Sequence, residues 1–129
     1  MYRQTQTQTA APGELVLMLY RGALRFVGAA IEAIEARNIS EAHNKLLKTQ
    51  DIISYLIETL DVERGGEVAK NLESLYGYML RRLIEANVKK DGVPAREVQG
   101  LLRELLPAWE AAVRQMSTAP AGTLVGAGR

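Results

Sequence analysis

Apolar residues along this chain recur at three- and four-residue steps in four separate stretches. In the last, Val98, Leu101, Leu102, Leu105, Trp109, Ala112 and Met116 fall on one stripe. In the one before it, Ala69, Leu72, Leu75, Tyr76, Met79, Leu83 and Ala86 do the same, and Ala42, Leu46, Ile53, Leu56 and Leu60 mark the second. This is helical spacing, not the alternation of a strand. Helix-boundary signals separate the stretches. Pro12 suits a first helical turn, and Asn38 or Ser40 offers an N-cap, with Glu41 in the capping-box position if Asn38 caps. Gly65-Gly66 breaks the chain, Lys89-Lys90 favours a helix C-terminus, and Asp91-Gly92 precedes Pro94. The pattern predicts helices from about Pro12 to Ala36, Ser40 to Leu60, Gly66 to Lys90 and Pro94 to Met116. Joined by such short links, they must pack antiparallel. The expected fold is an all-α, up-down four-helix bundle over residues 12–116. Pro107 interrupts the last pattern and predicts a bend there. Residues 1–11, with their Gln-Thr alternation, and the Gly- and Ala-rich 117–129 have no stripe to bury and read as flexible tails.

The first helix carries more apolar surface than one core-facing stripe requires. Leu15, Met18, Leu19, Gly22, Phe26, Ala29 and Ala33 form one stripe, and Val16, Tyr20, Ala23, Leu24, Val27, Ile31 and Ile34 form another beside it. Only Glu14, Arg21, Arg25, Glu32 and Glu35 mark a polar edge. Leu47, Ile52 and Tyr55 on the second helix, and Leu80 and Ile84 on the third, also stand off their stripes. Two readings fit the spacing. Either the first helix sits centrally and buries both stripes, or part of the surplus lines a groove for a partner helix. On the second reading the lining residues are Tyr20, Leu24, Val27, Ile52, Tyr55, Leu80 and Ile84.

Composition removes most chemistry. The 129 residues include no Cys and one His, His43, so thiolate, cysteine-zinc and two-histidine metal sites cannot be built. No nucleophile elbow and no glycine-rich phosphate loop is present. No catalytic residue, metal or cofactor is expected, and the chain reads as a non-enzyme. Sixteen Lys and Arg balance fifteen Asp and Glu, with acids interleaved among the bases, which argues against nucleic acid. The longest wholly apolar run, Leu15 to Tyr20, is far short of the ~18 residues of a span, so no membrane insertion is expected. The polar start lacks a secretory signal, and the reading is cytoplasmic. A module that pairs bundles into a homo-oligomer would use the same surplus surface and stands as the alternative.

Specific residues then point to a family. Tyr2, the run Thr9-Ala10-Ala11-Pro12-Gly13-Glu14-Leu15, Met18-Leu19-Tyr20, Gly22-Ala23 and Arg25-Phe26 come first. Lys48, Gln50, Ile52-Ile53, Leu56, Leu60-Asp61 and Gly65-Gly66 follow, then Asn71-Leu72, Leu75-Tyr76, Tyr78-Met79, Arg82-Leu83, Ala86-Asn87 and Trp109. In this order the chain resembles the flagellin export chaperones, the FliS family, over residues 2 to 116. The resemblance implies an antiparallel four-helix bundle that binds the disordered C-terminal segment of flagellin, blocks premature polymerisation and presents the subunit to the flagellar export gate. It implies a monomer or weak homodimer, and a role for Tyr2 as part of a tail that covers the groove and yields to client. Three positions depart from the pattern. Ala11 replaces a Ser that would cap the first helix, a loss of ~1 kcal/mol; Thr7 stands where Val is frequent; and Pro107 is foreign to it.

Overall fold

The computed structural model describes residues 12–116. Helices α1 (Pro12–Glu35), α2 (Ile39–Thr59), α3 (Val62–Lys89) and α4 (Gly92–Met116) follow one another through links of two or three residues. They form a square, with α1 and α3 each packed against both α2 and α4. The expected four-helix bundle is the observed one. The flexible tails and the groove cover assigned to 1–11 and 117–129 lie outside the described residues.

Local chemistry explains each corner. At the end of α1, Arg37 takes a left-handed conformation (φ 61°). The amide of Asn38 then donates to the Ala33 carbonyl at 2.8 Å and that of Arg37 to Ile34 at 3.0 Å. The Asn38 side chain in turn caps α2 by accepting from the Glu41 amide at 3.2 Å. Only half of the capping box forms, because the Asn38 amide is already committed to Ala33. Glu41 pairs with Lys45 at 3.6 Å instead. Asp61 caps α3 through the Arg64 amide at 3.1 Å.

The third helix starts earlier than its sequence suggests. One turn forms before Gly66, whose φ of 57° and ψ of −133° then break the helical path. These angles lie in a region open to glycine. At the far corner Lys90 is left-handed (φ 53°), and the Asp91 amide returns to the Ala86 carbonyl at 3.0 Å. Asp91 then accepts from the Val93 amide at 3.0 Å, so α4 opens two residues ahead of Pro94. Pro94 still lies in the first turn, where its missing N–H is harmless. The helix runs on through Pro107, whose side chain is exposed.

The core is mostly aliphatic, with Thr49 buried in it and one hydrogen-bonded aromatic group joining the helices. Tyr20 on α1 and Tyr76 on α3 bring their hydroxyls to 2.6 Å across the diagonal of the square. The Trp109 indole N–H on α4 donates to the Tyr20 hydroxyl at 3.0 Å. Among the described residues no buried side-chain nitrogen or oxygen lacks a hydrogen-bond partner.

Candidate partner-binding faces

The two apolar stripes of α1 have different fates. Val16, Tyr20, Ala23, Val27 and Ile31 are buried, so the stripe that includes Tyr20 and Val27 is the core stripe. Both residues are 0% exposed, and neither offers surface to a partner. This corrects their assignment to a groove. Tyr20 is drawn inward because its hydroxyl finds Tyr76 and Trp109, and Val27 follows it at the seven-residue step. The stripe running through Met18, Leu19, Gly22 and Phe26 is the more open one, with Met18 exposed and Leu19 and Phe26 half-buried.

The other candidates lie on three sides of the bundle and do not share one groove. Leu24 is half-buried against the core. It falls on the α4-facing side of α1, between Arg21, which pairs with Glu110 at 3.0 Å, and Gly28, which faces Gln99. Ile52 lies towards α1, since a Cβ on Gly22 would sit 3.3 Å from its Cδ1. Tyr55 follows Ile52 by three residues and is half-buried on the same side. Leu80 shares a side of α3 with Asn87, seven residues on, and Asn87 meets His43 of α2 at 3.1 Å. Ile84 is one turn beyond Leu80 and 49% exposed. Tyr2 lies outside the described residues.

Two features escaped the sequence reading. Val88 continues the Leu80–Ile84 row by another four residues and is 79% exposed, the most open large aliphatic side chain among the described residues. Its i+4 spacing was the available signal. The second is a cationic cluster on the α1–α2 face. The Arg25 guanidinium lies 5.2 Å from the Phe26 ring centroid, the Lys45 ammonium 5.5 Å and the Lys48 ammonium 5.4 Å. Lys45 and Lys48, three apart on α2, gave the sequence hint.

The chemical inventory is that of a surface. Among the described residues no group of three His, Asp or Glu is placed to hold a metal ion. Lys90 donates to the Asn87 side-chain oxygen at 2.8 Å. The Asn87 side chain also meets His43 Nδ1, through its amide nitrogen at 3.1 Å or its oxygen at 3.3 Å according to the imidazole tautomer. Burial chiefly holds the Tyr20 phenol well above its usual range, and it raises that of Tyr76. A tyrosine kept neutral inside a core is a structural element. The candidate surface for a partner is the half-open aliphatic and cationic surface flanking α2.

The sequence profile of the family described as Flagellar protein FliS matches residues 1–116. The chain belongs to the FliS family. It is 40% identical to the flagellar secretion chaperone FliS of Bacillus subtilis over 113 residues, covering 88% of this chain and 84% of that protein. It is 40% identical to the flagellar secretion chaperone FliSB of Pseudomonas aeruginosa over 107 residues, 83% of this chain and 85% of the relative. Against the flagellar secretion chaperone FliS of Salmonella typhimurium identity is 36% over 108 residues, 83% and 80% of the two chains. The FliS match takes in all four helices, and the all-α fold agrees with it. No described helix is long and apolar enough to cross a membrane.

Proposed function

We propose that this chain is a flagellar secretion chaperone that holds the C-terminal segment of flagellin in the cytoplasm, keeps it from polymerising, and hands it to the flagellar export gate. Membership of the FliS family supports the chaperone role. The observation that carries the client's chemistry is the aliphatic row Leu80, Ile84 and Val88 beside α2, open at 49% and 79% for its last two members. A row at four-residue steps matches the face of an amphipathic helix. Leu24, Ile52 and Tyr55 extend the lining on the other sides, so that a client would wrap the bundle. Tyr2 and its neighbours would cover part of this surface until client displaces them. No catalytic group, metal or cofactor enters such a mechanism. Holding a disordered segment needs apolar surface, and its free energy is offset by the ordering of the segment.

The test is a calorimetric and circular-dichroism titration with a peptide spanning the last ~50 residues of the host's flagellin, long enough to bury ~1,000–3,000 Å². Helicity should rise on mixing, and the heat-capacity change should be negative. No binding at micromolar concentration would overturn the reading. Sedimentation of the free protein addresses the rival, a homo-oligomerisation module using the same row. A monomer or weak dimer fits a chaperone, and a tight dimer blind to the peptide fits the rival.

A further inference from the structure

Three cations converge on one ring at the α1–α2 face, and among the described residues a carboxylate reaches only one of them. Arg25, Lys45 and Lys48 all lie within 5.5 Å of the Phe26 centroid. Lys45 pairs with Glu41 at 3.6 Å. Among the described residues, Arg25 and Lys48 form no ion pair with a carboxylate. Nor can the rest of the given sequence supply a side-chain carboxylate, because all fifteen Asp and Glu lie between Glu14 and Glu110. Like charges held this close repel, and the negative face of a single phenyl ring is a weak counterweight. The face is therefore short of negative charge that another molecule can bring.

The cluster is continuous with apolar surface. Ile52 follows Lys48 by four residues on the same side of α2, and it packs against Gly22, one turn before Phe26 on α1. Along the face, aliphatic surface thus gives way to positive charge within about one helical turn, ~6 Å. We propose that the α1–α2 face binds an amphipathic helix of the client whose apolar side chains rest on Ile52, which covers the buried Gly22, and on the exposed Met18 one turn before it, and whose Asp or Glu side chains, one to two turns further along, pair with Arg25 and Lys48. This rests on the reading of the chain as a holder of a helical client segment, and it adds what that segment must carry. Charge at this edge sets the direction and register in which the helix lies, since the reversed helix would leave its carboxylates over Ile52.

The experiment uses the full chain and the flagellin C-terminal peptide. Dissociation constants are measured for wild type, Arg25→Gln/Lys48→Gln, Arg25→Glu/Lys48→Glu, and a control, Lys70→Glu, on exposed α3 surface. At about 50 mM salt the charge reversal should weaken binding about tenfold or more and the Gln pair about threefold, with Lys70→Glu within about twofold. Wild-type affinity should fall on going to about 300 mM salt, and the reversal should lose that dependence. Should the reversal disturb helicity, the Gln pair carries the comparison. Amidating the peptide's C-terminus should leave affinity unchanged, whereas a loss on amidation would assign the site to a terminal carboxyl and overturn the side-chain pairing. If wild type binds and both double variants bind equally well, the charge pairing is wrong while the chaperone reading stands. If wild type does not bind, both fall.

Discussion

The hydroxyl of Tyr20 lies 2.6 Å from that of Tyr76, joining α1 to α3 across the diagonal of the bundle. The Trp109 indole N–H, 3.0 Å from the Tyr20 oxygen, ties α4 to the same point. With the indole as donor, Tyr20 can accept and donate in turn, so the chain of bonds polarises in one direction. Removing Tyr20's hydroxyl leaves the buried indole N–H and the Tyr76 hydroxyl without this partner. Tyr20→Phe should therefore cost about 1–3 kcal/mol in urea unfolding, although the ring itself still packs. A variant as stable as wild type would show that water replaces the bond.

Alkaline pH should act on the same pair. Burial first, and the mutual contact second, lift the Tyr20 phenol far above its usual range, and burial lifts Tyr76 too. A folded-state pKa above the unfolded value of about 10 favours the protonated form in the native state. The stabilisation is complete below pH 10 and is lost as pH climbs, because the unfolded chain releases protons that the folded one keeps. Above pH 10 the slope from Tyr20 approaches about −1.4 kcal/mol per pH unit, and Tyr76 adds to it in the same direction. Denaturant midpoints should fall between pH 9 and 11 in wild type, and Tyr20→Phe should flatten that fall.

Two glycines with equal space around them should respond oppositely to alanine. Nothing lies within 4 Å of a Cβ built on Gly66 or on Gly100. Gly66 holds φ 57°, ψ −133°, which an L side chain resists, so Gly66→Ala should destabilise by about 1–3 kcal/mol. Gly100 sits inside α4 with ordinary helical geometry, and Gly100→Ala should stabilise by about 0.5–1 kcal/mol. Thermal melts of the two variants test the sign directly.

Arg37 gives a cleaner gain. It ends α1 at φ 61°, a conformation that costs non-glycine residues about 1–2 kcal/mol, and among the described residues no side-chain hydrogen bond holds it there. Arg37→Gly should raise stability by roughly 0.5–1 kcal/mol, read as a melting temperature a few degrees higher. Lys90→Gly should gain less. Lys90 is also left-handed, but its ammonium reaches the Asn87 carbonyl at 2.6 Å and the Asn87 side chain at 2.8 Å, and both bonds would go.

The architecture was legible because its signals are local. The three- and four-residue periods, the Asn38 cap and the Gly66 break each act over a turn or less, and all appear in the fold. The site was less legible because exposure depends on what a residue meets across the bundle. Both α1 stripes have helical spacing, and which one turns inward is decided by Tyr76 and Trp109, 56 and 89 residues from Tyr20. The convergence of Arg25 with Lys45 and Lys48 on Phe26 likewise needs α1 and α2 in register. The exposure of Ile84 was legible, since it stands off a well-marked stripe.

That difference between core and surface yields a final test on the row proposed to bind the client. Ile84 is 49% and Val88 79% exposed, so a carboxylate at either remains in water when the chain folds. Ile84→Asp and Val88→Asp should keep the circular-dichroism spectrum and lose less than about 1 kcal/mol of stability, as surface changes do, apart from a small loss of helix propensity. Val27→Asp places a charge at a fully buried position and should unfold the protein or cost at least several kcal/mol. Leu24→Asp, half-buried towards α4, should fall between these. If Leu80, Ile84 and Val88 hold an apolar client face, Ile84→Asp weakens the flagellin peptide about tenfold or more, because binding would then desolvate the new charge. A folded Ile84→Asp protein that still binds as wild type would remove this row from the client site.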